Sequence, residues 1–588
     1  MATTTADIAA PGEWRGLVRL AASELSSAGL RRLKGLVPSL PVFKAEGLGA
    51  PIPSLKRGNP DVAAEIYRGR YAFGGVVVEA GARSIFDRAG APDEWLEALH
   101  GFDWFAHLQA SGRELSRVQA RALIREWALR SRRHPRPAFD AAVRARRLIS
   151  WVRHARFILS GASSGFYSAF IGTATAEARR LARQLVGETD HAARLTGAIA
   201  LAHASLGLAG LRSTWGAAAE RLVGELGAQV LADGGHRSRS PAALLEVLLD
   251  LVPLRMALEE AKVEIPAALN AALERMVPML RFFVHGDGGL AVFHGVEDTA
   301  PGRVRAVLEV DRVEGRPLVH AVHSGYGRLV QGPCVVIADV GRPAAPGANV
   351  RTASSPLAFE FSDGPSRIVV NCGSPPNSAA EWNKAARLTD AHSTICLGGA
   401  NASTILENGV VEKIFGTPVL LGPRTVTSSL SQTREGSVLQ ARHDGYVSPF
   451  GILVERRLYL AASGRDLRGE DRFFADLERA GDIEAVDFAI RFHLHPSVKA
   501  TLAKDAASIM LLLPDRSGWR FSAKGGELRL QDSVYLLGRS GPRRTQQIVI
   551  TGSVGRPDRV NWAFKRIEKR TGQAAERSGP GFLPLQDG

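Results

Sequence analysis

A helical array followed by an antiparallel β-sandwich is the architecture expected of this sequence, and three features point to it. The chain has 588 residues, too many for one compact core, so it divides into two or more domains. From about residue 90 to 315 the apolar side chains recur at helical spacing. After about 318 they alternate, or gather in short β-branched runs between Gly, Asp, Asn and Pro turns.

Residues 1–45 read as an N-terminal extension. The helices begin in earnest with EWLEALHGFDWFAHL and SRVQARALIREWALR, and continue through FDAAVRARRLISWVRHARFIL, RLTGAIALAHASLGLAGL and AAAERLVGELGAQVL. PAALLEVLLDLVPLRMALEEA and PAALNAALERMVPMLRFF complete the set. Gly, Pro and short polar stretches break these patterns, as suits neighbours packed antiparallel. No strict repeat holds, so a closed array is expected rather than a regular solenoid. The strands include CVVIADVG, RIVVNCG, HSTICLGG, GILVERRLYLAASG, VDFAIRFHLHP and QQIVITGSV, enough for two packed sheets. GGANASTILENGVVEKIFG reads as an irregular connection, and the tail from 568 as a surface extension.

A hydrophobic content of 45% with 23% charged residues is that of a soluble globular protein. Lys and Arg number 74 against 59 Asp and Glu, a formal charge of +15. That surplus steers anionic polymers toward the surface. The basic residues are scattered and carry no zinc-finger or RNA-binding signature, so nucleic acid is not the expected partner. Cys334, Cys372 and Cys396 form no CxxC pair and imply neither a disulfide framework nor a zinc-thiolate site. No run of about 18 apolar residues exists, so no transmembrane helix is expected. The opening MATTTADIAAPGEWRGLVRL has no basic segment leading into an apolar one, which gives a cytoplasmic expectation. Oligomeric state is not legible.

An ordered series of motifs narrows the class. HGFDWFAHL (100–108), RARRLISW (144–151), LADGGHRSRSPAALLEVLLDL (231–251), FFVHGDGGLAVFHG (282–295), HSGYGRLV (323–330) and ADVGRPAAPG (338–347) come first. LAFEF…RIVVNCG (357–373), RLTDAHST (387–394), GRDLRGEDR (464–472) and FAIRFHLHP (488–496) follow. In this order they resemble the heparinase II/III-like polysaccharide lyases, from roughly 85 to 565. The resemblance implies an α/α toroid (an incomplete helical barrel) over 46–317 and an antiparallel β-sandwich over 318–567. It also implies an acidic, uronate-containing polysaccharide as partner, a periplasmic alternative for the compartment, and cleavage by β-elimination. In that reaction one group neutralises the carboxylate, a base removes the neighbouring proton and an acid protonates the leaving oxygen.

The family's residues do not carry over. Its S-P-x-Y-H motif falls on Ser240, Pro241, Ala242, Ala243 and Leu244, so alanine stands at the tyrosine position. Its H-G-H loop falls on Ala353 to Ser355, and its Asn-His pair near Arg194 to Gly197. The metal site of some relatives falls on Ser355, Asn371 and His392; with one imidazole and a neutral amide, neither metal nor other cofactor is expected. His392 then reads as a hydrogen-bonded structural histidine beside Asn371.

Substitute catalytic candidates are Tyr326 and His236. Substrate-binding candidates are Arg239, Arg146, Arg147, Trp151 and His323. Guanidinium groups suit uronate or sulfate, and Arg147, Trp151 and His154 share one helix face. A sugar could stack on Trp151, though a core tryptophan is the favoured reading. His493 and His495, at i and i+2, share a strand face without an evident third ligand. Three functions remain open: elimination with a rearranged catalytic set, glycan binding without catalysis at the cell envelope, and hydrolysis using Asp233 and Glu246 as the carboxylate pair.

Overall fold

The computed structural model describes residues 45–567, apart from 82, 89, 131–133, 298, 300, 311–316, 346–347, 349–350, 376–379, 407–418, 477–484, 539–540 and 556–558. The two terminal extensions expected from the sequence lie outside the described residues, as does much of the 398–416 connection. The described end of that connection, Thr404–Leu406, pairs antiparallel with Val419–Leu421.

Eleven described helices build the first half: α1 (Pro60–Tyr67), α2 (Asp93–Gly101), α3 (Phe105–Ala110), α4 (Glu114–Leu129), α5 (Ala141–Leu159), α6 (Ser164–Gln184), α7 (His191–Gly207), α8 (Trp215–Gln229), α9 (Pro241–Glu260), α10 (Ala267–Phe282) and α11 (Pro301–Val310). They divide by their patterns. α4 and α6 bury one stripe, as amphipathic outer helices do. In α5, α7 and α9 most positions are buried, so these form the inner layer. α9 starts sharply: the Ser240 side chain accepts from the Ala243 amide at 3.4 Å, and Pro241 occupies the first turn.

The second half is two antiparallel sheets. The first runs, in spatial order, Glu527–Tyr535, Arg543–Ser553, Asp487–Leu494, Ser366–Val370, Phe359–Asp363, Cys334–Asp339, Tyr326–Gln331 and His320–Ala321, with Ile395–Leu397 paired to Asp487–Leu494. The second has eight strands, from Val426–Gln432 at one edge to Lys499–Leu502 at the other. Aromatic rings fill the space between them; Phe359 and Trp562 stack with centroids 5.4 Å apart.

The strand Cys334–Asp339 is buried at every position, and alternation explains why. Cys334, Val336 and Ala338 belong to the sandwich core, whereas Val335 and Ile337 belong to the core shared with the helices. The first sheet is therefore a middle layer with helices on one face and the second sheet on the other. Arg328 adds a polar tie by donating to the Val284 carbonyl, just past α10, at 3.1 Å.

Candidate functional site

The loop between α8 and α9, LADGGHRSRS, reaches from the helices to the sandwich. Gly234 allows this. Its φ is +87°, and a Cβ there would lie 2.1 Å from the Arg275 carbonyl oxygen. Asp233 then accepts from the Ser324 amide and the Ser324 hydroxyl, both at 2.6 Å. Arg239 (φ +61°) extends into the first sheet. It donates to the carbonyls of Ser324 (2.7 Å), Gly325 (2.9 Å), Arg342 (2.8 Å) and Gly341 (3.4 Å), and pairs with the Asp339 carboxylate. Asp339 also accepts from the Ser355 hydroxyl at 2.8 Å and faces His294 Nε2 at 3.1 Å. Burial raises the Asp339 pKa, but Arg239 and His294 outweigh it and hold the carboxyl well below its ordinary value.

This network corrects several candidates. Arg239 spends its guanidinium on the sandwich and offers no free face to a uronate. Tyr326 is 0% exposed; its hydroxyl donates to the Arg239 carbonyl at 2.6 Å, and burial raises its pKa well above the usual value. A phenol so enclosed touches no substrate. His236 is buried with Nδ1 2.7 Å from the Ser238 hydroxyl; burial, then Arg237, lowers its pKa to about 4. It is a neutral group inside the loop. His323 is exposed beside this junction.

The helical candidates separate in the same way. Arg147 is fully buried, paired with Glu177 at 2.6 Å and donating to the His100 carbonyl at 2.9 Å. Trp151 is 0% exposed, edge-on to Trp127 (5.3 Å) and Phe102 (5.5 Å). Neither presents a surface to a sugar; shared helical spacing placed them together, but facing the core. Arg146 differs, because its side chain is 26% exposed while it pairs with buried Asp250.

Arg146 belongs to a charged band that sequence reasoning missed. Asp250 also takes Arg153 at 2.9 Å. One turn away, Glu246 takes Arg303, and Lys56 lies 3.4 Å from Glu246 and 2.7 Å from Asp103. Burial raises the Glu246 pKa, but Arg303, Lys56 and Arg146 bring it down to about 2. A carboxyl so acidic is no general acid, and Asp233 is committed to Ser324, so the hydrolase pair falls. The available signal was Glu246 and Asp250 at i and i+4 in the otherwise apolar stretch 241–254.

The family's metal region is filled with hydrogen bonds. Asn371 donates to the Val292 carbonyl (3.1 Å) and accepts from the Ser393 amide (3.0 Å). His392 Nδ1 meets the Leu388 carbonyl at 2.9 Å, and burial lowers its pKa to about 4. Among the described residues no group of three His, Cys, Asp or Glu is arranged to hold a metal. His493 lies between the Ser533 hydroxyl (2.7 Å) and the Asp390 carbonyl (2.9 Å). Near Arg194–Gly197, Arg194 pairs with Glu225 at 2.6 Å, and a side chain at Gly197 would meet Leu185.

Toroid, sandwich and junction together define a polysaccharide-lyase-like protein. The chain belongs to the heparinase II/III-like family: its C-terminal domain model matches residues 313–563. A curated relative, FtsZ-localized protein C of Caulobacter vibrioides (strain NA1000 / CB15N), is 32% identical over 556 residues, covering 93% of this chain and 94% of the relative. Among solved structures, heparinase III matches with a TM-score of 0.66 at 13% identity, over 93% of this chain and 90% of that one. A heparan sulfate lyase HepC mutant from Pedobacter heparinus matches with a TM-score of 0.57 at 12% identity, over 94% and 90%. These structures share the fold. The curated relative corrects the compartment expectation: a periplasmic alternative drawn from polymer-cleaving lyases does not fit a relative named for localisation with FtsZ. The opening residues carry no argument about compartment.

Proposed function

We propose that this chain binds an acidic, uronate-containing polysaccharide without cleaving it, and that it localises with FtsZ, as the name of its Caulobacter relative says of that protein. The observation that supports non-catalytic binding is the Arg239–Asp339 junction. Elimination needs a titrating base and acid at the substrate, and here those positions hold alanine, serine and a closed ion-pair network. The charge of +15 and the partly exposed Arg146 and Arg303 favour an anionic ligand.

The test is incubation with heparan sulfate, alginate and other uronate polymers while ultraviolet absorbance and electrophoretic retardation are followed. Retardation without new absorbance is expected. A rising absorbance from unsaturated uronate sinks the non-catalytic reading, and absence of any retardation sinks the glycan reading. Co-sedimentation with polymerised FtsZ tests the association separately.

A further inference from the structure

Outside the toroid interior and the Arg239 junction, one pocket of about 400 Å³ combines charge, aromatic rings and apolar wall. It lies between the segment leading into α11 and the first sheet, and is lined by Asp287, Leu290, Arg367, His495, Tyr535 and Arg543 among others. Its volume falls within the ~300–1,000 Å³ usual for small-molecule sites.

The lining sorts into committed and uncommitted groups. Arg367 is committed: it grips Asp287 with two contacts of 2.8 and 3.1 Å and donates to the Leu290 carbonyl at 2.9 Å. Glu297 is likewise taken by Arg351. Arg543 is different. Its guanidinium lies 5.2 Å above the Tyr535 ring, and no described carboxylate pairs with it. Tyr535 is 5% exposed, yet its hydroxyl has no hydrogen-bond partner among the described residues. Burial pushes that phenol up to about 12, so it stays a neutral donor. His495 packs edge-on to Tyr535 with ring centroids 5.2 Å apart and holds Ser497 through Nδ1 at 2.7 Å. Burial, then Arg367 and Arg543, lowers its pKa to about 4, so it too is neutral at pH 7.

The shape of the remaining capacity indicates the ligand. Arg543 and His495 already pack on the Tyr535 ring, so it offers no platform for a planar aromatic ligand. What remains is one cation, one phenol O–H and one imidazole above a wall of Leu290 and Leu537. The geometry points to a second, monosaccharide-sized site for a single carboxylated sugar unit, with Arg543 on the carboxylate and Tyr535 on a ring or hydroxyl oxygen. This rests on the reading of an acidic glycan as ligand, and identifies the sugar unit that the sandwich recognises.

Calorimetric titration of the full chain with glucuronate, and separately with glucose, tests the site. Glucuronate is expected to bind at least about tenfold more tightly than glucose, and R543Q to lose about tenfold in glucuronate affinity, as for a charge-assisted contact. Y535F is expected to lose about fivefold, as for one neutral hydrogen bond. Thermal midpoints of both variants confirm folding; because Arg543 is exposed, R543Q remains informative even if Y535F unfolds. No heat with glucuronate, equal affinity for the two sugars, or an unchanged R543Q overturns the site. Acidic polymers retarded by the wild type while glucuronate gives no binding sink this pocket and leave the polymer reading standing. Glucuronate binding lost in R543Q, with no polymer retarded by either protein, keeps the pocket and sinks the polymer reading.

Discussion

Arg239 shows why residue identity alone misleads. In the sequence it is one arginine in a polar loop; in the structure it donates to four carbonyls and one carboxylate. Its partners lie 85 to 103 positions away, so no local pattern reports them. Breaking a buried pair leaves an uncompensated charge, and Asp339→Asn is expected to cost about 3–5 kcal/mol in urea unfolding. Tyr326→Phe removes one hydrogen bond and is expected to cost about 1 kcal/mol, with glycan retardation unchanged. Acid sensitivity follows from the histidines. His236 and His392 are lowered by burial from 6.5 to about 4, and His493 to about 3. Below their unfolded pKa the unfolded chain takes up protons that the folded chain refuses. Their stabilisation is therefore complete above about pH 6.5 and is lost as the pH falls to 4 and below. Melting temperatures measured from pH 7.5 to 4 are expected to fall throughout the lower half of that range; a flat profile contradicts the assignment.

At the scale of elements, helices and strands were legible because period and length distinguish them, and α9 begins where Ser240 and Pro241 predict. Orientation was less legible. α5 is buried nearly all round, so the face shared by Arg147 and Trp151 carried no information about what it meets. The charged band around Asp250 was hidden for a related reason: its partners come from α5 and from Lys56, far away in sequence. Gly234 belongs to this scale as well. Alanine there combines strained backbone with collision against the Arg275 carbonyl, and G234A is expected to lose about 1–3 kcal/mol, read as a lower urea midpoint.

For the whole molecule, the order of helices before strands and the family's motif series foretold the architecture. Which chemistry survived on that scaffold was only half legible: missing tyrosine and histidines are visible in sequence, but what fills their places is a three-dimensional fact. The formal charge of +15 sets a further expectation. Binding to acidic polymers should weaken steeply between 50 and 300 mM salt, roughly as screening shortens from ~14 to ~6 Å; retardation gels run across that range check it.

The loop that carries Arg239 also has a mechanical consequence. A rivet that holds four carbonyls and a carboxylate cannot be worked loose one contact at a time, since the guanidinium leaves all of them together. Toroid and sandwich are then coupled in series, and heating should melt them in a single calorimetric peak. Cutting the rivet with R239Q should lower that peak and leave it single, because Val335, Ile337 and Val370 still share one core with the helices.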